Sequence, residues 1–265
     1  MSNKVNQQER AAIAWEILTR IAKNKQKIRY GELARQIGIH HRVVRFVLGL
    51  IQNYCLANQL QPLTILVVNQ SGRQGDGFIA WDVDDIDEGF KRVYNENWNN
   101  HENPFGYAKA GLTEDVIIEK LLANPDKAKD VYAKIKVRGT AQPIFRKVLL
   151  QAYEQECAFC HFSLEVALQA SHIIPWSEAT RNERLDVRNG LLLCATHHKL
   201  FDNGWLTVNE DYTIKYCDPK ENGGHYSEYD NLLATALHNK KLKLPKNKKH
   251  WPSKKYLKKH SLAHT

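Results

Sequence analysis

The sequence predicts an α+β protein with two domains and a basic C-terminal segment. Apolar residues recur at helical spacing through most of residues 1–135, and one β-branched run in that region is typical of a strand. The region after residue 135 combines strand-like runs with paired cysteines. At 265 residues, the chain is long enough for one or two domains, each with its own core.

The first region is expected to be mainly helical. The segment "QQERAAIAWEILTRIAKN" has isoleucines four residues apart, and "YGELARQIG", "HHRVVRFVLGLIQNYC" and "DDIDEGFKRVYNENW" predict three further helices. The run "PLTILVVN" predicts a buried strand, and hence a small sheet.

The domain boundary is expected near residue 135. Before it, "LTEDVIIEKLLANP" predicts a helix with Thr113 as its cap and Pro125 at its end. After it, "PIFRKVLLQAY" predicts an amphipathic helix leading into the cysteine pair. We therefore expect a first domain at 1–135, a second domain at 136–235 and a basic tail at 236–265.

The two short helices of the first region fit a helix-turn-helix pattern. Ala34 is small where two helices would cross, Gly38 falls in the turn, and Val44 packs beyond it. The second helix would then carry Arg42 and Arg45 towards DNA. An ordinary helical hairpin with solvated arginines is the alternative.

The chain is basic, with a net charge of +9, and ten lysines fall between Lys240 and Lys259. A basic excess favours polyanions through counterion release, although a solvated, partly disordered tail has the same composition. No apolar run approaches the roughly 18 residues that span a bilayer. Because the N-terminus is also polar and unlike a signal peptide, we expect a cytoplasmic protein.

Four residues have the spacing of a metal site. Five cysteines, an odd number, argue against a disulfide framework. The pairs Cys157-x-x-Cys160 and Cys194-x-x-His197 together have the composition of a closed structural zinc site. A redox Cys-x-x-Cys would leave Cys194 and His197 unexplained, and buried cysteines without a metal are the remaining alternative.

A second metal could bind beside the first. His198 points away from His197, because adjacent helical residues diverge by about 100°. Asp202 would share the face of His198, and such a pair can hold a hard divalent ion. Asp202 could equally be a turn residue before Asn203-Gly204.

The order of the motifs is more specific than any one of them. After the first cysteine pair come His172, in "QASHIIPW", and Asn189, in "DVRNGLLLC"; each alone says little. The full order is Cys-x-x-Cys, His-Ile-Ile-Pro, Asn-Gly and Cys-x-x-His-His-x-x-x-Asp. Residues 138–215 thereby resemble the HNH endonuclease family, with its zinc-stabilised ββα-metal fold, and most of all its bacterial branch of predicted restriction endonucleases.

The resemblance implies metal-dependent cleavage of DNA. A divalent ion at His198, Mg2+ or another, would bind the scissile phosphate and stabilise the leaving 3′ oxygen. His172 would deprotonate the attacking water, since an imidazole with a pKa of about 6.5 suits that role. Asn189 would fix the loop carrying His172 or approach the metal. The products would carry 5′-phosphate and 3′-hydroxyl ends.

Ser171 departs from the family pattern. The residue before the base is often Asp or His and binds the metal, whereas a serine hydroxyl is a poor ligand. Either Asp202 supplies the missing carboxylate, or the metal is held loosely until DNA phosphates complete its shell.

The first region also resembles the DNA-binding domain of alkylguanine-DNA alkyltransferases, in "YGELARQIG" and "PLTILVVNQSGRQGDGF". Val67-Val68-Asn69-Gln70 stands where those proteins carry Pro-Cys-His-Arg, so alkyl transfer is not expected. The resemblance implies a domain that grips DNA and senses an extruded or modified base. Further DNA contacts are expected from Arg146, Lys147 and Lys199.

These patterns predict an endonuclease of restriction or defence type that acts on double-stranded DNA. One centre per chain cuts one strand, so duplex cleavage would suggest a homodimer. Two alternatives stay open: a DNA-binding regulator with a structural zinc and an inactive nuclease centre, and a nicking or repair nuclease.

Overall fold

The computed structural model describes residues 6–75, 77–135, 138–218 and 226–264. Helices and short two-stranded sheets both occur there, as expected of the predicted α+β class. Among the described helices, none is both long and apolar enough to cross a membrane.

The Cα positions divide the chain into two compact units. The first comprises Met1–Thr113 and Val137–Thr140, and the second comprises Glu114–Lys136 and Ala141–Thr265. The chain thus divides after Thr113 and again at residues 137–140, and the expected single boundary near residue 135 stays a prediction. The two helices before residue 135 lie within the second unit, where His250 Nε2 donates to the Leu122 carbonyl at 2.7 Å.

Within its described residues, the first unit has four α-helices where the helical periodicity predicts them. They are α1 Gln7–Lys23, α2 Tyr30–Ile37, α3 Val44–Ala57 and α4 Ile86–Asn95. Their core centres on Trp15, whose ring meets Tyr54 and Trp98 edge-on at 5.6 and 5.9 Å. Edge-on aromatic pairs of this kind add to the free energy of burial.

The turn between α2 and α3 has the expected construction. Gly38 ends α2 in the left-handed conformation, with φ of 75°, which suits glycine. A 3-10 turn at His41–Val43 then leads into α3. Ala34 and Val44 are both buried, as the helix-turn-helix pattern requires. The geometry is that of two short helices packed across a turn.

The apolar run at residues 62–69 is not the strand that its composition predicts. Leu63–Leu66 form a buried 3-10 turn, and only Val67–Val68 form strand β2. Its partner is β1, Ile28–Arg29, in a parallel pair. A short, fully buried apolar run has no polar face, so hydrophobic periodicity cannot distinguish a helical turn from a strand.

The second unit contains the remaining helices and strands. Its helices are α5 Glu114–Ala123, α6 Ala128–Ile135, α7 Arg138–Ala152 (whose first three residues fall in the first unit), α8 Ala195–Asp202, α9 Glu228–Leu233 and α10 Lys254–Ala263. Its strands are β3 Leu168–His172, β4 Gly190–Cys194, β5 Leu206–Val208 and β6 Ile214–Tyr216.

Strands β3 and β4 form an antiparallel pair that runs directly into α8. His172 lies opposite Gly190, and Leu168 lies opposite Cys194. A Cβ at Gly190 would lie 2.6 Å from Phe145 Cζ and 2.7 Å from Leu149 Cδ1. Position 190 must therefore be glycine for α7 to pack on the strand pair.

The C-terminal basic segment is folded, unlike the solvated tail that its composition allows. Leu257 and His260 of α10 are 0% and 6% exposed. Thr213 pairs with Lys241 in a β-bridge beside the β5–β6 hairpin. The lysines lie at the surface of a segment whose apolar side chains pack into the second unit.

Candidate active site and metal centre

Cys157, Cys160, Cys194 and His197 converge on one point. Their ligand atoms all lie within 4.8 Å of one another. Cys194 Sγ is 4.0 Å from Cys160 Sγ and 3.2 Å from His197 Nδ1. The first pair lies after the end of α7, and the second pair spans the junction of β4 and α8. The fold brings these two places together.

This donor set fits a tetrahedral zinc ion. Zinc–sulfur bonds of about 2.3 Å in a tetrahedron place sulfurs roughly 3.8 Å apart, close to the observed separation. Cys157, Cys194 and His197 are buried and Cys160 is half-buried, so most of the cluster is shielded from solvent. Four protein donors would fill every position of a tetrahedral ion, as in structural zinc sites. Hydrogen bonds from Cys157 and Cys160 lower the pKa of the Cys194 thiol, which favours the thiolate that binds metal.

A backbone carbonyl orients the His197 ring. Nε2 lies 2.9 Å from the carbonyl of Leu233, the last residue of α9. A carbonyl only accepts hydrogen bonds, so Nε2 carries the proton and Nδ1 is the ring's metal-binding nitrogen. The role of Leu233 could not be predicted from the sequence, because no residue spacing reveals a backbone acceptor.

His198, Asp202 and Ser171 form a second polar group. His198 Nε2 lies 3.5 Å from Asp202 Oδ2, as the four-residue spacing predicts. Ser171 Oγ donates to Asp202 Oδ1 at 3.4 Å. The carboxylate of Asp202 thus lies between the imidazole of the helix and the hydroxyl of the strand.

These donors fit a hard divalent ion incompletely. They supply one imidazole nitrogen, one carboxylate and one weakly ligating hydroxyl, whereas Mg2+ prefers six ligands, mainly oxygen atoms, in octahedral geometry. Water or phosphate oxygens would have to fill the rest of the shell.

His172 lies at the end of β3 in a fixed orientation. Its ring stacks on Phe145, with centroids 4.0 Å apart, and meets Trp176 edge-on at 5.6 Å. Nε2 lies 3.0 Å from the Arg184 carbonyl and must be the protonated nitrogen, which makes Nδ1 the ring's acceptor. Trp176 is here a packing residue.

Asn189 is fully buried and bonds to the backbone of the neighbouring loop. Its Oδ1 accepts from Ile174 N at 2.8 Å, and its Nδ2 donates to the Glu183 carbonyl at 3.1 Å. Of its two predicted roles, these bonds favour holding the loop after His172 over approaching the metal.

Asp186 and Arg188 hold the turn that carries Asn189, and neither residue was among the predicted site residues. Asp186 is 3% exposed and accepts from Arg188 Nε at 2.9 Å and from Arg188 N at 2.9 Å. Asn189 N in turn donates to the Asp186 carbonyl. An aspartate side chain often accepts from the backbone N–H two residues later in a turn, so Asp186 shortly before Asn189-Gly190 is an available sequence signal.

The predicted DNA-binding side chains differ in their surroundings. Arg146 donates to the carbonyls of Glu165 and Leu168 at 2.9 and 3.2 Å, so a DNA contact would compete with these bonds. Lys147 pairs with Glu114. Lys199 is exposed on α8. In the first unit, Arg42 is exposed in the 3-10 turn before α3, and Arg45 is exposed in the first turn of α3.

The model of the HNH endonuclease family matches residues 157–209. No curated protein matches the chain. The matched segment contains both cysteine pairs, His172, Asn189 and His198, in a strand–strand–helix arrangement. The segment from Cys157 to Asn209 therefore belongs to the HNH endonuclease family.

Proposed function

We propose that the protein is a metal-dependent DNA endonuclease of restriction or defence type. The proposal rests on one observation. His172, held by a backbone carbonyl, and His198, paired with Asp202 at 3.5 Å, occur in a single strand–strand–helix unit that matches the HNH family.

His172 acts as the general base in this proposal. Its Nδ1 takes a proton from the water that attacks the phosphorus, while the Arg184 carbonyl holds the ring through Nε2. Asn189 keeps the following loop in place through its bonds to Ile174 and Glu183. Hydrolysis leaves a 5′-phosphate and a 3′-hydroxyl.

His198 and Asp202 hold the catalytic divalent ion. When bound there, the ion would supply Lewis-acid stabilisation of charge on the phosphate and on the leaving 3′ oxygen. Cys157, Cys160, Cys194 and His197 would hold a structural zinc ion, which would join the Cys157–Cys160 pair to the β4–α8 junction.

A plasmid nicking assay with Mg2+, Mn2+ or Ni2+ tests the proposal. We expect nicking by the intact protein and a loss of roughly 100-fold or more in His172→Ala, the usual effect of removing a general base. End-labelling should find 5′-phosphates. Equal nicking by both proteins would contradict the assignment of His172.

Ser171 supports a second candidate, a DNA-binding regulator with an inactive nuclease centre. Its buried hydroxyl replaces a stronger metal ligand and is already bonded to Asp202. This candidate predicts DNA binding without nicking on modified and unmodified DNA alike. A nicking or repair nuclease would instead cut branched or damaged DNA preferentially.

The first unit is proposed to recognise DNA through Arg42, Arg45 and an adjacent cavity. The cavity measures about 250 Å³ and is lined by Tyr30, Phe78, Arg45 and Thr64 among others. This is below the range of roughly 300–1,000 Å³ typical of drug-sized ligands, so it suits one small planar group.

Thr64 gives this cavity a polar group for recognition. It is 4% exposed, and its Oγ1 has no hydrogen-bond partner among the described residues. A buried hydroxyl without a partner is costly, and a bound base edge would remove that cost. The cavity therefore supports the interpretation that the first unit senses an extruded or modified base.

Duplex cleavage is proposed to require two copies of the chain on DNA. Analytical ultracentrifugation with a cognate duplex should then detect a 2:1 complex. Only 1:1 complexes, together with double-strand cuts, would contradict the homodimer.

A further inference from the structure

Helix α10 presents a face of lysines to solvent. Lys254, Lys255, Lys258 and Lys259 are all exposed, whereas Leu257 and His260 on the opposite side are buried. The sequence has no acidic residue from 231 to 265, so no acidic side chain of this segment neutralises them.

This helix is fixed against the nuclease centre. The His260 ring stacks on Phe201, which lies between His198 and Asp202 on α8, with centroids 3.8 Å apart and an angle of 3°. Tyr256 Oη donates to Asp186 Oδ2 at 3.4 Å, and Ser253 N donates to the Arg188 carbonyl at 3.0 Å. The lysine face is therefore held by the metal-binding helix and by the turn that carries Asn189.

One lysine connects this face to the loop that follows His172. Lys259 Nζ lies 3.2 Å from Glu178 Oε2, and Glu178 N donates to the Pro175 carbonyl just after β3. Lys254 lies over the Tyr212 ring at 5.9 Å. In the part of the chain that the structure describes, Lys255 and Lys258 have no carboxylate oxygen within 4.0 Å.

We infer that this lysine face binds the phosphate backbone of duplex DNA beside the nuclease centre. Lys255 and Lys258 are neighbours on one helix face, where like charges repel unless an anion lies between them. A phosphodiester supplies that anion, and release of its counterions favours binding. The inference rests on the proposed nuclease function, because it places the DNA at the adjacent site.

The test compares Lys255→Gln/Lys258→Gln with a control that removes the same charge elsewhere in the unit, Lys120→Gln/Lys240→Gln. Both control lysines are exposed. Fluorescence anisotropy with a labelled 30-base-pair duplex, at several salt concentrations and without added Mg2+, gives the slope of log K against log salt.

In the test variant, the slope of log K against log salt should be shallower by about 1.8, since each lost phosphate contact lowers the magnitude of this slope by roughly 0.9. The control variant should keep the slope of the intact protein. Equal slopes for the intact, test and control proteins would overturn the inference.

Binding and cutting are measured separately, so the two proposals can fail independently. If the test variant has a shallower salt slope but the intact protein nicks no DNA, the result would contradict the nuclease function and support the lysine face. If the intact protein nicks DNA but the test variant keeps the salt slope of the intact protein, the result would contradict the lysine face and support the nuclease function. Matching thermal unfolding curves for the test and control variants would show that the lost lysines leave the fold intact.

Discussion

At the scale of single residues, the proposed nuclease centre is held by bonds from side chains to backbone. Asn189 bonds to the backbone of residues 174 and 183, and His172 bonds to the carbonyl of Arg184. The identity and order of these side chains can be read from the sequence. Their partners cannot, because every residue has the same backbone carbonyl and amide.

Asn189→Ala should destabilise the second unit. It leaves the buried Ile174 N–H without its Oδ1 acceptor, which should lower the free energy of unfolding by roughly 1–3 kcal/mol. Urea unfolding measures the loss. Asn203→Ala is the control, because Asn203 is exposed and its change should stay within about 0.5 kcal/mol. Similar values for both variants would contradict the role given to Asn189.

Gly190→Ala should also destabilise, for a steric reason. The new Cβ would lie 2.6 Å from Phe145 Cζ, and overpacking of this kind costs about 1–3 kcal/mol. Gly31→Ala is the matched control, because no atom lies within 4 Å of its added Cβ and the residue is within α2. Thermal unfolding should separate the two variants, and equal melting temperatures would refute the packing argument.

At the scale of elements, the cysteine cluster brings together segments that lie far apart in the sequence of the second unit. The candidate ligands come from the Cys157–Cys160 segment after α7, from the end of β4 and from the first turn of α8. Helix α9 supplies the carbonyl that orients His197. The spacing of the cysteines predicts the ligands, whereas the contribution of α9 depends on how the chain returns to this point.

Cys194→Ser should abolish the bound zinc and destabilise the second unit strongly. Elemental analysis should find about one zinc per chain in the intact protein and less in the variant, since a structural site needs all four ligands. Cys217→Ser is the control, because Cys217 lies outside the cluster. A variant that keeps its zinc and its melting temperature would argue against a structural site.

The packing of α10 on α8 should depend on pH. Burial lowers the pKa of His260 from 6.5 to about 4, so the folded protein favours the neutral ring. The resulting stability is present above pH 6.5 and is lost as the pH falls towards 4, by roughly 3 kcal/mol in all. Urea unfolding across this range should show the free energy of unfolding decline as the pH falls. The decline should be smaller in His260→Phe than in the control variant His161→Gln. An unchanged decline in His260→Phe would exclude His260 as its source.

At the scale of the whole molecule, the proposed recognition and cutting functions reside in different units. The cavity of Tyr30, Arg45 and Thr64 belongs to the first, and the HNH segment to the second. Selection of DNA and hydrolysis of DNA should therefore respond to different substitutions.

Thr64→Val tests this division, because it replaces the buried hydroxyl without changing the shape of the side chain much. We expect an altered preference between modified and unmodified DNA in a mixed pool, with plasmid nicking within about twofold of the intact protein. Sequencing of the cut ends measures the preference. The same preference in both proteins would remove the cavity from the recognition proposal.

The sequence by itself determined the likeness of residues 157–209 to the HNH family, the four cysteine and histidine residues that converge, and most of the helices. It could do so because ligand spacing and helical periodicity are local properties of the chain. It did not determine the form of the run at 62–69, where burial on all sides hides the period. It also left open whether the basic segment is folded, since a high lysine content is compatible both with a folded segment and with a disordered one.

Only the tertiary structure decided which groups surround each site residue. It joined Ser171 to Asp202, gave Asn189 its bonds to the loop after His172 and held α10 against Phe201. These contacts form between segments far apart in the chain, and the backbone groups that bond to Asn189 are chemically alike at every position. Their positions depend on the packing of the entire unit, which no short stretch of sequence specifies.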